Sequence, residues 1–368
     1  MTNETTRLVI RTPDDALAAV PYLLGFHPAD SLVVLGFDGP ENTCAVRVDL
    51  PPDPSCVPRM AEQITMVVGR NGFRSALIVG YGPSAPVTAA ASAVWEALVS
   101  SGVRIVEAMR VSDGRWWSLT CLEECCPPEG RTFDTSSSQL AATAAYAGHT
   151  ALPAREDLRG SVAPPTGKAQ AAVRRATLQA EARIHGWAQE EASSEALTAR
   201  MATEAVELLE ALRASENPPT TDEAALLSVL LTDLRVRDEI WVRLTQDTPR
   251  QDLELWSAVL RNTDPRHAAA PASLLAFLAY TTGEGGLANV ALDRAEEADP
   301  HYSMAALIRT IIALGVPPKK ARLKLTPEEL AALYKARTPS HPPPSATSPP
   351  TPDSPPRLPP SPTRSPPP

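Results

Sequence analysis

Hydrophobic positions near the start of the chain change period within a few residues. Leu17, Val20, Leu23 and Leu24 recur at helical spacing and stop at Gly25, where a left-handed helix cap is wanted. Thr12-Pro-Asp-Asp15 supplies the opposite end of that helix, with an N-cap, a proline at the first helical position and acids against the dipole. Ser31-Leu-Val-Val-Leu-Gly-Phe37 is a continuous, β-branched apolar run closed by Asp38-Gly39, which predicts a strand. Between helix and strand lies a tight corner, Phe26-His-Pro-Ala-Asp30. Upstream, Arg7–Ile10 reads as a further strand. Downstream, Cys44–Leu50 pairs with the first run as an antiparallel hairpin across Asp38–Asn42. Val57–Arg70 shows helical periodicity, Ala76–Gly80 is a buried strand, Val87–Ser100 a helix, Val103–Val111 a strand, and Ser112-Asp-Gly114 a turn into Trp116–Cys121.

Strand, helix, strand, helix, strand in this order predicts an α/β domain with a mixed sheet over residues 1–135. Strand signals then stop. Gln139–Ala147 is alanine-rich and helical, 161–167 is a linker or corner, and Ala169–Arg213 is one long helix or two, broken near Gly186 or at Ser193-Ser194. Glu223–Leu244, Leu253–Arg261, Ala268–Thr281, Leu287–Ala298 and Ser303–Leu314 continue as helices, and Thr326-Pro-Glu-Glu329 caps a last one. Residues 136–337 are therefore expected to be all-helical. One window has tetratricopeptide spacing, with Ala276, Ala288 and Ala295 at small-residue positions before Pro300; a bundle of unrelated helices satisfies the same pattern. Residues 338–368 are dense in Pro, Ser and Thr, a composition that predicts a disordered, polyproline-biased tail.

Composition narrows the function classes. A formal net charge of -9 argues against a nucleic-acid binder, which needs a basic face. No apolar run reaches bilayer length, and the polar start lacks a signal pattern, so a cytoplasmic location is expected. The basic run Lys319-Lys-Ala-Arg-Leu-Lys324 is the one place suited to an acidic partner. Arg357-Leu-Pro-Pro-Ser-Pro362 has the form of a ligand for a proline-reading domain.

Three sets of residues carry candidate chemistry. Cys121, Cys125 and Cys126, three of the five cysteines, lie close together before a double proline. Such thiolates suit three positions of a zinc site, a reversible disulfide, or the packing of a corner. His27 and Asp30 form a candidate base and its orienting acid, or else cap their turn, and their place at the amino end of a strand counts against catalysis. Gly80, Tyr81, Gly82 and Ser84 leave a strand and enter a helix, a weak anion-binding pattern without the further glycine of a dinucleotide loop or the lysine of a P-loop. Trp116 and Trp117, adjacent on a strand, must face opposite sides of the sheet.

Taken together, Pro21-Tyr-Leu-Leu-Gly-Phe-His-Pro28, Asp30–Gly36, Arg47-Val-Asp49, Gly80-Tyr-Gly82, Arg115-Trp-Trp-Ser118, Cys125–Gly130 and Asp299–Ser303 resemble an uncharacterised actinobacterial family, the domain of unknown function 4192. The resemblance implies a cytoplasmic actinobacterial protein and supplies no activity. Two functions are therefore expected: a non-catalytic interaction or adaptor protein acting through the helical part or the tail, and alternatively a metal- or thiol-dependent enzyme at Cys121, Cys125 and Cys126, with His27 as a fourth ligand or base.

Overall fold

Leu32, Val33, Val34 and Leu35 are all fully buried, which requires cover on both faces of their strand. In the computed structural model of the chain, this strand is β1 (Ser31–Gly39), and the residues described are 10–40, 42–121, 123, 126–135, 138–146, 150–244 and 249–337. Residues 7–9 of the expected first strand, Cys125 and the segment 338–368 lie outside these. Leu32 and Val34 pack beneath α2 (Val57–Arg70) and α3 (Ser84–Ser100), while Val33 and Leu35 pack beneath α1 (Pro13–Leu24). α1 has the expected start: Thr12 and Asp15 form a reciprocal capping box, and Gly25 closes the helix at φ 82°.

The sheet has six strands in the order β2-β1-β3-β4-β5-β6. β1 is antiparallel to both β2 (Asn42–Asp49) and β3 (Ser75–Tyr81), and β3 is parallel to β4 (Arg104–Ser112). β5 (Arg115–Ser118) and β6 (Arg131–Thr132) extend it antiparallel. The sheet is thus mixed, as its sequence pattern predicts. β5 is shorter than the expected Trp116–Cys121, because Ser118 Oγ accepts the amides of Thr120 and Cys121 and closes a turn there.

The remainder is helical: α4 (Gln139–Tyr146), α5 (Arg155–Gly160), α6 (Gly167–Glu190), α7 (Ser194–Ala214), α8 (Thr221–Leu230), α9 (Leu234–Trp241), α10 (Pro249–Arg261), α11 (Ala269–Thr282), α12 (Gly285–Ala298), α13 (Ser303–Ala313), α14 (Pro318–Ala321) and α15 (Pro327–Arg337). Of the two break points considered for the long helix, the chain breaks before Ser194, where Ser193 caps α7, and Gly186 runs on inside α6. The expected Glu223–Leu244 helix is two, since Asp233 accepts from the amides of Arg235 and Val236 and restarts the turn. α11 is buried almost all round and forms the centre of this half. It turns at Gly283 into α12, and the small residues Ala276, Ala288 and Ala295 of the repeat-like window are buried in this helix pair. Among the described residues, no helix is long and apolar enough to cross a membrane.

The two halves are stitched at the opening corner. His27 N donates to Leu152 O at 2.9 Å, and Leu152 N donates to Gly25 O at 2.9 Å. Gly286 abuts Leu24 so closely that a Cβ there would lie 2.2 Å from Leu24 O. Asn71 at the end of α2 donates to Gly315 O at 2.7 Å.

Candidate functional site

The register reverses one inference from sequence. Because β1 is antiparallel to β3, its amino end stands beside the carboxyl ends of β3 and β4, where open α/β sheets bind ligands. Ser31 is paired with Tyr81, and Tyr81 with Val111. The corner and the Gly80–Ser84 turn are consequently neighbours: a Cβ on Gly82, whose φ is +132°, would lie 3.1 Å from Asp30 Oδ1. Asp30 itself is held at φ 42°. Gly82 N donates to Val111 O at 3.0 Å, and Gly82 O accepts from Arg110 Nη1 at 3.3 Å. Ser84 opens α3, and Gly80 is overlain by Val87 from the first turn of that helix. His27 and Asp30 are exposed, whereas Ser31 is fully buried.

On the α1 face of this end, Asp49, Ser31, Tyr81, Val111, Trp116 and Arg131 form one row across the sheet. Arg47 reaches into the row from β2: its Nη2 donates to Asp49 Oδ1 at 2.6 Å and to Ala29 O at 3.5 Å, with its guanidinium 5.4 Å from the Phe26 ring centroid. The Ser31 and Tyr81 hydroxyls and Arg47 Nε are buried without a hydrogen-bond partner among the described residues. Burial holds the Tyr81 phenol well above its ordinary range, so it is neutral at physiological pH. Arg110, Ser31 and Arg47 are not among the site residues that the sequence suggests. The one hint along the chain is the Arg47-Val-Asp49 alternation, which puts both side chains on one face of an edge strand.

At the other edge of the sheet, both tryptophans serve the fold. Trp116 is buried in the α1-face core and donates to Asp14 Oδ1 at 3.1 Å. Trp117 lies between the Arg110 guanidinium, 3.6 Å from its ring centroid, and Gly130, where a Cβ would fall 2.5 Å from the indole. Its Nε1 donates to Pro128 O at 2.9 Å, and Arg115 Nη1 donates to Gly130 O at 3.1 Å. These contacts pin Pro127–Gly130 onto β5. Cys121 and Cys126 line the resulting cleft of about 660 Å³ together with Glu123 and Glu129. Cys125 lies outside the described residues. Among the described residues, no group of three or more His, Cys, Asp and Glu side chains is placed to hold a metal ion. Three strand spacings, roughly 14 Å, separate β1, which His27 precedes, from β5, which leads to Cys121. The other cysteines lie elsewhere: Cys44 is half-buried and its thiol is pushed up to about 11, and Cys56 is exposed.

The helical half offers a third surface. Arg309 of α13 bonds Asn289, Asp293 and Glu296 of α12, which fixes the rotation of α13 about its axis. Met304, Ala305 and Ile308 face inward. Leu307, Ile311 and Leu314 then form an outward stripe at i, i+4 and i+7, with Leu307 49% and Leu314 41% exposed. The turn at Gly315 leads directly to the exposed Lys319, Lys320, Arg322 and Lys324.

The model of the domain of unknown function DUF4192 matches residues 13–319, which takes in the sheet, the corner, the cysteine cleft and the helices through α13. The chain belongs to the DUF4192 family. No curated protein and no solved structure matches it. The DUF4192 match ends within the basic run, so Arg322, Lys324 and α15 lie beyond it.

Proposed function

We propose that this DUF4192 member is a non-catalytic interaction protein whose helical half docks an acidic partner on α13 and the basic run after it. The observation that carries this reading is the outward Leu307/Ile311/Leu314 stripe, with Leu307 and Leu314 exposed, leading straight into Lys319–Lys324 in a chain whose net charge is -9. Exposed apolar stripes rimmed by charge mark interaction faces, and a locally basic surface on an acidic protein selects acidic partners. The proline-rich segment 338–368 is a further contact by its composition. The test places a photocrosslinking residue at position 307 in the full-length protein in cells. A single crosslinked acidic protein, lost in Leu307→Asp/Leu314→Asp and weakened in Lys320→Glu/Lys324→Glu, supports the reading. An identical crosslinking pattern in wild type and the Asp variant overturns it.

The cleft favours a second reading, thiol or zinc chemistry at Cys121, Cys125 and Cys126. It is supported by Cys121 and Cys126 lining one cleft with Glu123 and Glu129. Elemental analysis of protein purified without a metal-affinity tag, with thiol titration of the same sample, tests it. Stoichiometric zinc lost in Cys126→Ser supports a metal site, and metal-free protein with freely titrating thiols removes the metal site and leaves the cysteines structural or redox-active.

A further inference from the structure

Ser31, Tyr81 and Arg47 stand on three adjacent strands on one face of the sheet, and each carries a buried polar atom without a partner among the described residues. Ser31 pairs directly with Tyr81, so their Cβ atoms are about 5 Å apart on the same face of the sheet. The Arg47 guanidinium reaches the same row from the other side, since it bonds Asp49, which is itself paired with Ser31. Ser31 is 0% exposed, and the Ser31 Oγ, Tyr81 hydroxyl and Arg47 Nε atoms are buried without a partner among the described residues. Leaving one buried polar group unpaired is unfavourable, and here three stand on adjacent strands at the end of the sheet where the parallel pair β3 and β4 finishes, the end at which open α/β sheets bind ligands. All three can donate a hydrogen bond, and Arg47 Nε can only donate. The charges also lean one way: the Arg47 side chain is 15% exposed while its partner Asp49 is 73% exposed, so solvent screens the acid more than the cation. Asp30 and Asp14, further acids near this end, are exposed as well.

We propose that this end of the sheet, beneath the Phe26–Asp30 corner, binds the carboxylate of a small molecule, whose oxygens accept from Ser31 Oγ, the Tyr81 hydroxyl and Arg47 Nε. The phenol stays neutral and donates. Phe26 covers the guanidinium on its far side, and the corner's own hydrogen bonds to Leu152 hold the cover in place. This site is separate from the α13 surface, so each proposal stands or falls alone.

The test is thermal unfolding of the full chain, titrated with sodium acetate against sodium chloride of equal ionic strength, in a buffer free of carboxylate and phosphate. Wild type gains a saturable increase in midpoint from acetate beyond that from chloride. Ser31→Ala and Tyr81→Phe each weaken the apparent affinity about tenfold. Neither hydroxyl has a partner among the described residues, so both variants without acetate melt at or above the wild-type midpoint, which separates lost binding from lost folding. The same acetate shift in the variants as in wild type overturns the proposal, as does no shift in wild type, which would assign the three groups to ordered water. A phosphate titration run in parallel distinguishes a general oxyanion pocket: a response to phosphate without one to acetate overturns the carboxylate assignment.

Discussion

Gly80 is where α3 comes down onto the sheet, and its replacement tests the geometry that places the candidate site. A Cβ at Gly80 would lie 2.3 Å from Val87 Cγ1 and 3.3 Å from Leu32 Cδ1. Val87 is fully buried in the first turn of α3, so its methyl cannot swing into solvent. Gly80→Ala should therefore force the helix start away from β3 and destabilise by about 1–3 kcal/mol, although alanine is no worse than glycine in a strand on backbone grounds. Val87→Ala alone removes buried methyl groups and should cost about 2 kcal/mol. In the double variant the new methyl of residue 80 enters the space left by Val87. The cost of the double variant then falls short of the sum of the two single costs by about 1–2 kcal/mol. Urea unfolding of all four proteins by far-UV circular dichroism, with m compared throughout, measures the cycle. A neutral Gly80→Ala, or costs that add to within about 0.5 kcal/mol, would refute the close approach of α3 to β3.

Further outcomes follow from other buried or capped groups. Asp252 of α10 is 0% exposed and accepts from Arg213 Nε at 2.9 Å and Nη2 at 2.7 Å, with Arg213 22% exposed. Arg213→Met should destabilise by about 3–5 kcal/mol, Asp252→Leu by less because the guanidinium still meets water, and the double variant should recover most of the loss in urea unfolding. Full additivity there would remove the pairing argument. Iodoacetamide at about pH 8 should label exposed Cys56 long before half-buried Cys44, whose thiol is pushed up to about 11 and stays protonated; peptide mass spectrometry on a time course checks this. The amides of Arg11 and Thr12 hold the Asp15 carboxyl below its ordinary value of 3.8. Its contribution to α1 is therefore fully present above that value and is lost as pH falls through the lower folded-state value. Asp15→Asn should be less stable than wild type at neutral pH and converge with it in acid. Equal separation of the two proteins at all pH values would contradict this.

Local chemistry makes most of the elements legible along the chain. The capping box at Thr12, the left-handed Gly25 and the β-branched run after Ser31 are settled within a few residues, and all appear as expected. The same holds for α2, whose two ends match the sequence reading. Boundaries depart from the periodicity where a side chain decides them: Ser118 ends β5 and Asp233 divides α8 from α9 by bonding backbone amides. β6 carries no signal in the sequence, because a two-residue strand has no period to detect and exists only through its pairing with Arg115 and Trp116.

Sequence alone determined that this chain has a mixed α/β part followed by helices, since periodicity and caps are properties of neighbouring residues. Only the tertiary structure decided which end of β1 matters. Strand direction relative to β3 is a long-range pairing, and it moves the corner from the unpromising end of its own strand to the carboxyl ends of β3 and β4. The same pairing sets Ser31 beside Tyr81, and the β1–β2 hairpin adds Arg47 through Asp49, residues that carry no joint signal along the chain. Both tryptophans are drawn into structural contacts for a similar reason, because Asp14, Arg110 and Gly130 meet them only once the sheet has formed. Which hydroxyls lose water without gaining a partner is set by packing from distant segments, and no local pattern encodes it.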